Sequence, residues 1–341
     1  MKELDTRSHL VVVIPALNEA ATLGAVIDRV PRSIPGINAV TVVVVDDGSQ
    51  DETSSIARSH GAEVVRHHAN RGVGAAFKSG LEYALAHGAD YLVNMDGDGQ
   101  FNPEDIPTLL NPILHDEADF VTASRFADPK MFPQGIPPMK LFGNRFYARF
   151  ISSVIGKRFT DVSCGFRAYN REALLRLTLF GAFTYTQETF LDLAGKNIRM
   201  IERAVRVRGV REHGKSRLAS NLFHFGFKTL SIMLRSMRDL APFRFFGMGG
   251  LVLTMLGALI EACLFVYWLI TRHTAPFQSL IVVGGVILLL GFLLVIVALL
   301  ADMLHRQRRI LEEGLYYQRR RFYQGSQPEA TETDHESGHP A

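Results

Sequence analysis

The chain has 341 residues, 37 Lys plus Arg, 34 Asp plus Glu, a net charge of +3 and 47% hydrophobic residues. These averages exclude a collagen-like, disulfide-scaffold or wholly disordered chain. The two cysteines, Cys164 and Cys263, exclude a disulfide framework and a Cys-rich zinc site.

Resolved along the chain, the charge is uneven. Residues 1–202 are net −4, 203–244 net +8, 302–324 net +3 and 325–341 net −4. Residues 245–301 carry Glu261 and Arg272 as their only full charges.

Residues 8–210 alternate between short β-rich runs and helical patterns. Leu10–Ile14 and Val40–Val45 are continuous apolar runs, as in strands covered on both faces. Ala20–Val30 and Thr53–His60 read as helices, Glu63–Arg66 as a strand and Gly74–His87 as a helix. Tyr91–Met95 reads as a strand, Glu104–Leu114 as a helix and Phe120–Ser124 as a strand. The alternation predicts a mainly parallel α/β sheet, in which ligands bind outside the carboxyl ends of the strands. Three segments lie there: Pro15–Glu19, Asp46–Gln50 and Asp96–Gln100.

In the second segment, VVDDGSQD, Asp46 and Asp47 stand where a ligand would bind, yet they also suit a turn and the cap of the next helix. In the third, MDGDGQ, Asp96 and Asp98 flank Gly97. Carboxylates this close repel unless a cation lies between them, and a hard dication such as Mg²⁺ or Mn²⁺ takes oxygen ligands together with substrate phosphates. Such an ion neutralises a diphosphate leaving group. A plain turn is the structural alternative. An EF-hand loop from Asp96 would need Gly at 101 and Glu at 107, where Phe101 and Pro107 stand. A phosphatase-type nucleophilic Asp would sit on the first strand.

The glycine-rich NRGVGAAFKSG has Phe77 at the third glycine position of a dinucleotide fingerprint, and no GxxxxGK[ST] occurs. Gly72 and Gly74 can leave backbone N–H groups open to phosphate, and Lys78 is either phosphate-facing or a solvated helix residue. Arg211, Lys215 and Arg217 in RGVREHGKSR suit either bidentate phosphate binding or anionic lipid headgroups. No nucleic-acid reading module is visible, so nucleic acid is not expected as a partner.

Leu251–Ile270 is apolar except for Glu261, and Leu280–Ala301 has no charge at all. Each is as long as a membrane-crossing helix requires, about 20 residues. Arg235, Arg238 and Arg244 precede the first, Arg306, Arg308 and Arg309 follow the second, and the connecting loop carries only Arg272. The positive-inside rule therefore places both ends in the cytoplasm. No signal peptide is expected, since the N-terminal apolar run is short and ends at Pro15. Glu261, near mid-membrane, either has a function or faces a neighbouring helix. Phe223, Phe227, Leu230, Leu234 and Met237 recur at helical spacing, predicting an amphipathic helix over 221–240 at the membrane surface. Residues 302–324 read as a basic helix, and the acidic tail from Gly325 as disordered.

Together these features resemble the dolichyl-phosphate mannose synthase and polyprenyl-phosphate glycosyltransferase group, family-two glycosyltransferases of GT-A fold. The matching pieces stand in order: VVIPALNEA, VVDDGS, the GVGAA loop, MDGDGQ, SRF with Arg125, DVSCGFRAYNRE, QETF and REHGKSR. They span residues 8–220, and the ordered set is far more specific than any single DxD. The resemblance implies a Rossmann-like GT-A catalytic domain over 1–220 and an interface region over 221–244. A two-helix transmembrane hairpin over 245–301, the basic helix 302–324 and the tail 325–341 complete the chain. It implies that Pro15, Asn18, Glu19 and Asp46, with Lys78 and Asp96, contact a nucleotide sugar. Asp96, Asp98 and Gln100 match the Mg²⁺ or Mn²⁺ and diphosphate motif. Asp98, Gln100 and Arg211 are the expected catalytic residues, and Arg125, Ser216 and Arg217 the expected acceptor-phosphate contacts. Gly99 stands where relatives often carry a larger residue, and Arg217 where Lys is common.

The implied activity is inverting, metal-dependent transfer of a sugar from a nucleotide diphosphate to polyprenyl phosphate, undecaprenyl or dolichyl. The implied place is the cytoplasmic face of a membrane, bacterial inner membrane in type, and self-association is compatible with it. A phosphate acceptor is already ionised near neutral pH, so no Ser-His-Asp or His base is required. Other readings are transfer to a different lipid acceptor, a processive polysaccharide synthase, and a non-catalytic membrane scaffold. Processive synthases carry QxxRW, whereas this chain has QETFL and its one Trp, Trp268, lies in an apolar stretch.

Overall fold

A computed structural model of the chain describes residues 8–133, 138–179, 185–208 and 243–324. Arg211, Ser216, Arg217, the expected amphipathic helix over 221–240 and the tail from Gly325 lie outside the described residues. The described residues form two compact units, divided at 215/216 and at Gly314/Leu315.

The first unit is a seven-stranded sheet with flanking helices. Its first five strands are β1 (His9–Ala16), β2 (Ala39–Asp46), β3 (Glu63–Arg66), β4 (Tyr91–Asn94) and β5 (Phe120–Ser124). The helices between them are α1 (Ala20–Asp28), α2 (Thr53–Ser59), α3 (Val73–Ala86) and α4 (Ile106–Leu114). These are the expected elements, with ends shifted by a few residues. A short 3₁₀ turn, Pro103–Asp105, opens the segment expected as one helix from Glu104, because Asn102 caps it by accepting from Glu104 N–H.

Two strands and three helices follow: α5 (Pro138–Ile155), β6 (Arg167–Asn170), α6 (Arg171–Arg176), α7 (Tyr185–Ala194) and β7 (Met200–Ala204). The strand order is β3-β2-β1-β4-β6-β5-β7. All neighbours run parallel except β6, which is antiparallel to both β4 and β5. Residues 10 to 14 of β1 are wholly buried, as their apolar run requires. In register, Ala16 lies beside Asp46, and Val13 beside Asn94. The exits of β1, β2 and β4 therefore open side by side at one edge of the sheet.

The second unit holds α8 (Met248–Thr271) and most of α9 (Gln278–Gln324). Both are long and apolar enough to cross a membrane. They pack at close range: a Cβ on Gly257 would lie 2.5 Å from Leu288 N, and one on Gly291 would meet Thr254 N. Small residues let helix backbones meet in this way. Glu261 faces its neighbour, with Oε1 where a Cβ on Gly284 would come within 2.6 Å.

The basic segment 302–324 is the continuation of α9 rather than a separate helix. The part of α9 from Leu315 belongs to the first unit. There Tyr316 donates to Glu172 Oε2 at 3.0 Å, Arg176 lies 4.2 Å over the Tyr316 ring, and Arg319 donates to Leu177 O at 2.7 Å.

Candidate active site at the strand ends

The β1 exit loop is stitched to the β2 exit loop. Asn18, with φ of 53°, donates its N–H to Ser49 Oγ at 2.9 Å and accepts from Gln50 N–H on Oδ1 at 2.8 Å. Glu19 N–H donates to Thr53 Oγ1 at 3.0 Å. Pro15 is buried within β1.

Asp46 is wholly buried, and its carboxylate serves the fold. Oδ1 accepts from Ser49 N–H at 2.7 Å, Oδ2 accepts from the Ser54 hydroxyl, and Arg66 Nε lies 3.6 Å away. Burial works against ionisation, but the serine hydrogen bonds and the Arg66 charge outweigh it and hold the carboxyl below its usual range. The carboxylate thus closes the 46–49 turn and does not cap α2, whose N-cap is Glu52 with no side-chain cap bond.

Its neighbour Asp47 shapes the glycine-rich loop. Asp47 Oδ1 accepts from Arg71 N–H at 2.9 Å and pairs with His67 Nδ1 at 2.7 Å, while Oδ2 accepts from Gly72 N–H at 2.8 Å. His67 Nε2 meets Ser79 Oγ at 2.9 Å. With Nδ1 facing a carboxylate, which only accepts, Nδ1–H is the donor to Asp47, and the ring bridges Asp47 and Ser79. The line-up has the parts of a Ser-His-Asp relay. Asp47, however, spends its oxygens on the 71–72 backbone as well, so the trio fixes the loop leading into α3. Lys78, on the exposed side of α3, lies 3.9 Å from Glu82, and both side chains are half exposed.

At the end of β4 the chain bends twice. Asp98 is 3% exposed and Oδ1 accepts from Gln100 N–H at 3.1 Å, whereas Asp96 is only partly buried. Gly99 has φ of +73°, a left-handed conformation that a larger side chain adopts only with strain, which accounts for glycine at this position. Gln100 O accepts from Arg208 N–H at 3.0 Å and its side-chain amide donates to Arg208 O at 3.3 Å. Arg208 is therefore held against the DGDGQ bend.

The loop before β6 closes on the same place. A Cβ on Gly165 would lie 3.1 Å from Asp96 Oδ1. Asn94 donates to Gly165 O at 2.8 Å and to Tyr185 Oη at 3.0 Å. Tyr185 stacks on Phe77 of α3, ring centroids 4.8 Å apart. Burial and the charge of Asp96 raise the Tyr185 phenol, which stays protonated.

Arg125 sits beside this cluster in a buried ion pair. Its Nε and Nη2 donate to the two oxygens of Asp161 at 2.6 and 2.9 Å, and Nη2 also donates to Ser163 Oγ at 2.7 Å. Against the cost of burial, the Asp161 charge holds the guanidinium protonated, with Asp96 contributing. Asp161, wholly buried, is held below the usual carboxylate range because the attraction and hydrogen bonds of Arg125 outweigh desolvation. Thus Arg125 lies within electrostatic reach of Asp96, but its fork is already occupied by Asp161.

The DGDGQ bend is tied to the start of α1: Thr22 Oγ1 donates to Gly97 O at 2.9 Å, and a Cβ on Gly97 would lie 3.9 Å from Pro15 O. Asp46 and Pro15 are buried, whereas Asn18 is exposed and Glu19 half-buried. Among the described residues no three His, Cys, Asp or Glu side chains gather into a metal cluster. Two carboxylates on one bend are the donor set of a hard dication whose remaining positions are filled by water and phosphate oxygens. Asp47, Tyr185 and Asp161 carry structural work at the site that sequence reasoning did not assign. For Asp47 the available signal was its position one residue after the ligand-facing strand.

The pattern of glycosyl transferase family 2 matches residues 11–178. UDP-N-acetylglucosamine--dolichyl-phosphate N-acetylglucosaminyltransferase of Methanococcus voltae is 33% identical over 181 residues, 48% of this chain and 70% of that protein. Dodecaprenyl-phosphate galacturonate synthase of Rhizobium johnstonii is 27% identical over 308 residues, 87% of this chain and 88% of that one. Among solved structures, glucosyl-3-phosphoglycerate synthase from Mycobacterium tuberculosis in complex with Mn²⁺, uridine diphosphate and phosphoglyceric acid is similar at a TM-score of 0.52 and 23% identity. The match covers 67% of this chain and 78% of that one and is a likeness of fold, GT-A. The family pattern takes in the loops after β1, β2 and β4, which open at the same end of the sheet, and the chain belongs to glycosyl transferase family 2.

Proposed function

We propose that this glycosyltransferase moves a sugar from a nucleotide diphosphate to a polyprenyl phosphate at the cytoplasmic face of a membrane, with inversion at the anomeric carbon. The observation that carries the reading is the Asp96–Asp98 bend beside the β1 exit loop, in a chain that also holds two membrane-length apolar helices. The 27% identity to the Rhizobium protein extends over those helices, which supports a lipid-linked acceptor.

In the proposed reaction an acceptor phosphate oxygen attacks the anomeric carbon opposite the leaving group. The new bond is the C–O bond of a C–O–P linkage. The bond from that carbon to the donor diphosphate breaks, and its electron pair leaves with the nucleoside diphosphate. A phosphomonoester has a second pKa of about 6, so the nucleophile is already ionised and no base has to remove a proton. Asp96 and Asp98, with Gln100, would hold Mg²⁺ or Mn²⁺, which when bound neutralises charge on the leaving diphosphate. Asn18 and Glu19 line the nucleotide side, with Pro15 and Asp46 supporting them from below. Arg211, with Ser216 and Arg217, supplies positive charge and donors for the phosphates, and Arg125, whose fork is held by Asp161, adds charge alone; positioning and preorganised charge lower the barrier. Both chain ends lie on the cytoplasmic side, with α8 and α9 as the membrane hairpin.

The donor is read directly by incubating purified protein with polyprenyl phosphate, Mg²⁺ or Mn²⁺ and a panel of labelled nucleotide sugars. Label appearing in the lipid extract with one donor is the expected result. Nucleotide-sugar binding that is indifferent to divalent ions and yields no product with any donor counts for the scaffold reading instead.

A further inference from the structure

Helix α5 presents a face that the transfer site does not use. Tyr147, Ala148 and Ile151 are buried against the first unit. On the opposite side, Phe142, Arg145, Phe146, Arg149 and Ser153 fall within an arc of about 100° at helical spacing. Phe142 is 68% exposed and Phe146 54%, and the two rings lie nearly parallel with centroids 6.5 Å apart. Arg145, Arg149 and Ser153 are exposed between and beyond them. From Pro138 to Arg158 the sequence contains five basic residues and no acidic one. This segment lies inside a domain whose first 202 residues are net negative, so the cationic face is a local departure.

We infer that the Phe142–Phe146 face of α5 rests on the surface of an anionic bilayer, the aromatic rings entering the headgroup boundary and Arg145 and Arg149 meeting lipid phosphates. Two neighbouring phenyl rings held in solvent between arginines have the composition of an interfacial helix face. The basic residues complement anionic headgroups, which attract them within a Debye length. A bilayer is the occupant favoured over another protein because the same chain carries two membrane-length helices, which bring this domain to a lipid surface. The contact is distinct from the segment 221–240 and belongs to the catalytic domain itself. It would give that domain a second point of attachment beyond the helices, limiting its tumbling over the membrane. The inference rests on the membrane reading above, and the test separates the two.

The chain has a single tryptophan, Trp268, in α8. The full chain is reconstituted in phosphatidylcholine–phosphatidylglycerol vesicles with and without brominated phosphatidylcholine. Quenching of Trp268 reports the membrane span. Phe146→Trp is then made in a Trp268→Phe background, a substitution that keeps an aromatic ring at an exposed position. The expected result is blue-shifted emission from the new tryptophan, with a loss of intensity in brominated vesicles. That loss should shrink when Arg145→Glu and Arg149→Glu are added, or when phosphatidylglycerol is omitted. Solvent-like emission from Phe146→Trp untouched by bromine, where Trp268 of the parent chain is quenched, overturns the inference and leaves the membrane reading standing. Blue-shifted emission without quenching also overturns it, because a second protein copy then covers the face. If Trp268 is not quenched either, the membrane reading fails and this inference fails with it.

Discussion

The Arg125–Asp161 pair offers the sharpest test of how the site is held. Asp161 has no exposed surface, and it receives two of the Arg125 donors as well as Ser163 N–H at 3.2 Å. Arg125→Met leaves that carboxylate buried without its counter-charge. Removing one partner of a buried pair costs about 3–5 kcal/mol. For a unit of this size each kcal/mol lowers the midpoint by about 2–4 °C, so the first thermal transition should fall by roughly 6–20 °C. Circular dichroism of detergent-solubilised protein reads this directly. Adding Asp161→Leu removes the orphaned charge and should recover most of the loss. Turnover should stay low in the double variant, because Arg125 also lies within electrostatic reach of Asp96. A pH series supplies a second check. Asp161 is held below its ordinary pKa, so its contribution is fully present above the unfolded value near 4 and is lost as pH falls through the lower folded value. The parent should therefore lose stability more steeply than the double variant on acidification below that point. A single variant that melts with the parent, or a double variant no better than the single, would refute the reasoning.

Three further outcomes follow from the same structure. Asp47→Ala strips an acceptor from Arg71 N–H, Gly72 N–H and His67 at once; the buried His67 loss costs about 1–3 kcal/mol and the two part-buried backbone bonds less. Both the melting temperature and nucleotide-sugar affinity should drop, and an unchanged midpoint would show that the loop is held by other means. Gly257→Leu puts a side chain where the Leu288 backbone already lies, so the α8–α9 hairpin should lose thermal stability in detergent, and parent-like melting would contradict the close packing. Arg211→Ala should impair turnover far more than membrane insertion; parent-like turnover at saturating donor and acceptor counts against its assignment.

The first five strands were legible because their apolar runs are continuous or bounded by turn residues, and a parallel sheet covered on both faces selects such runs. Strands β6 and β7 were not. β6 reads RAYN, and its Arg167 looks like a surface residue, yet it is wholly buried with Phe120 and Phe190 rings 5.7 and 5.0 Å from its guanidinium carbon. Its strand character comes from pairing with β4 and β5 on either side, a tertiary cause that local pattern does not carry. The extent of α9 escaped for another reason: the change from apolar to basic at Asp302 marks a change of surroundings, not the end of a helix. At the site, DGDGQ stands out in the sequence because two carboxylates around a glycine are chemically specific, and the structure adds that Asp98 is buried and Asp96 only partly so. The division of labour within Asp46–Asp47 was not, since either carboxylate can cap a turn and only the position of residues 67–72 shows which one holds the loop.

The central claim is the acceptor, and one measurement addresses it most directly. The purified chain is given its labelled donor, Mg²⁺ or Mn²⁺, and in parallel polyprenyl phosphate, the unphosphorylated polyprenol or diacylglycerol, with Asp98→Asn and chelated samples alongside. Label should enter the lipid phase with polyprenyl phosphate alone, and should disappear in the Asp98→Asn protein and in the chelator. Equal labelling of polyprenol or diacylglycerol, or undiminished transfer by Asp98→Asn, would contradict the account.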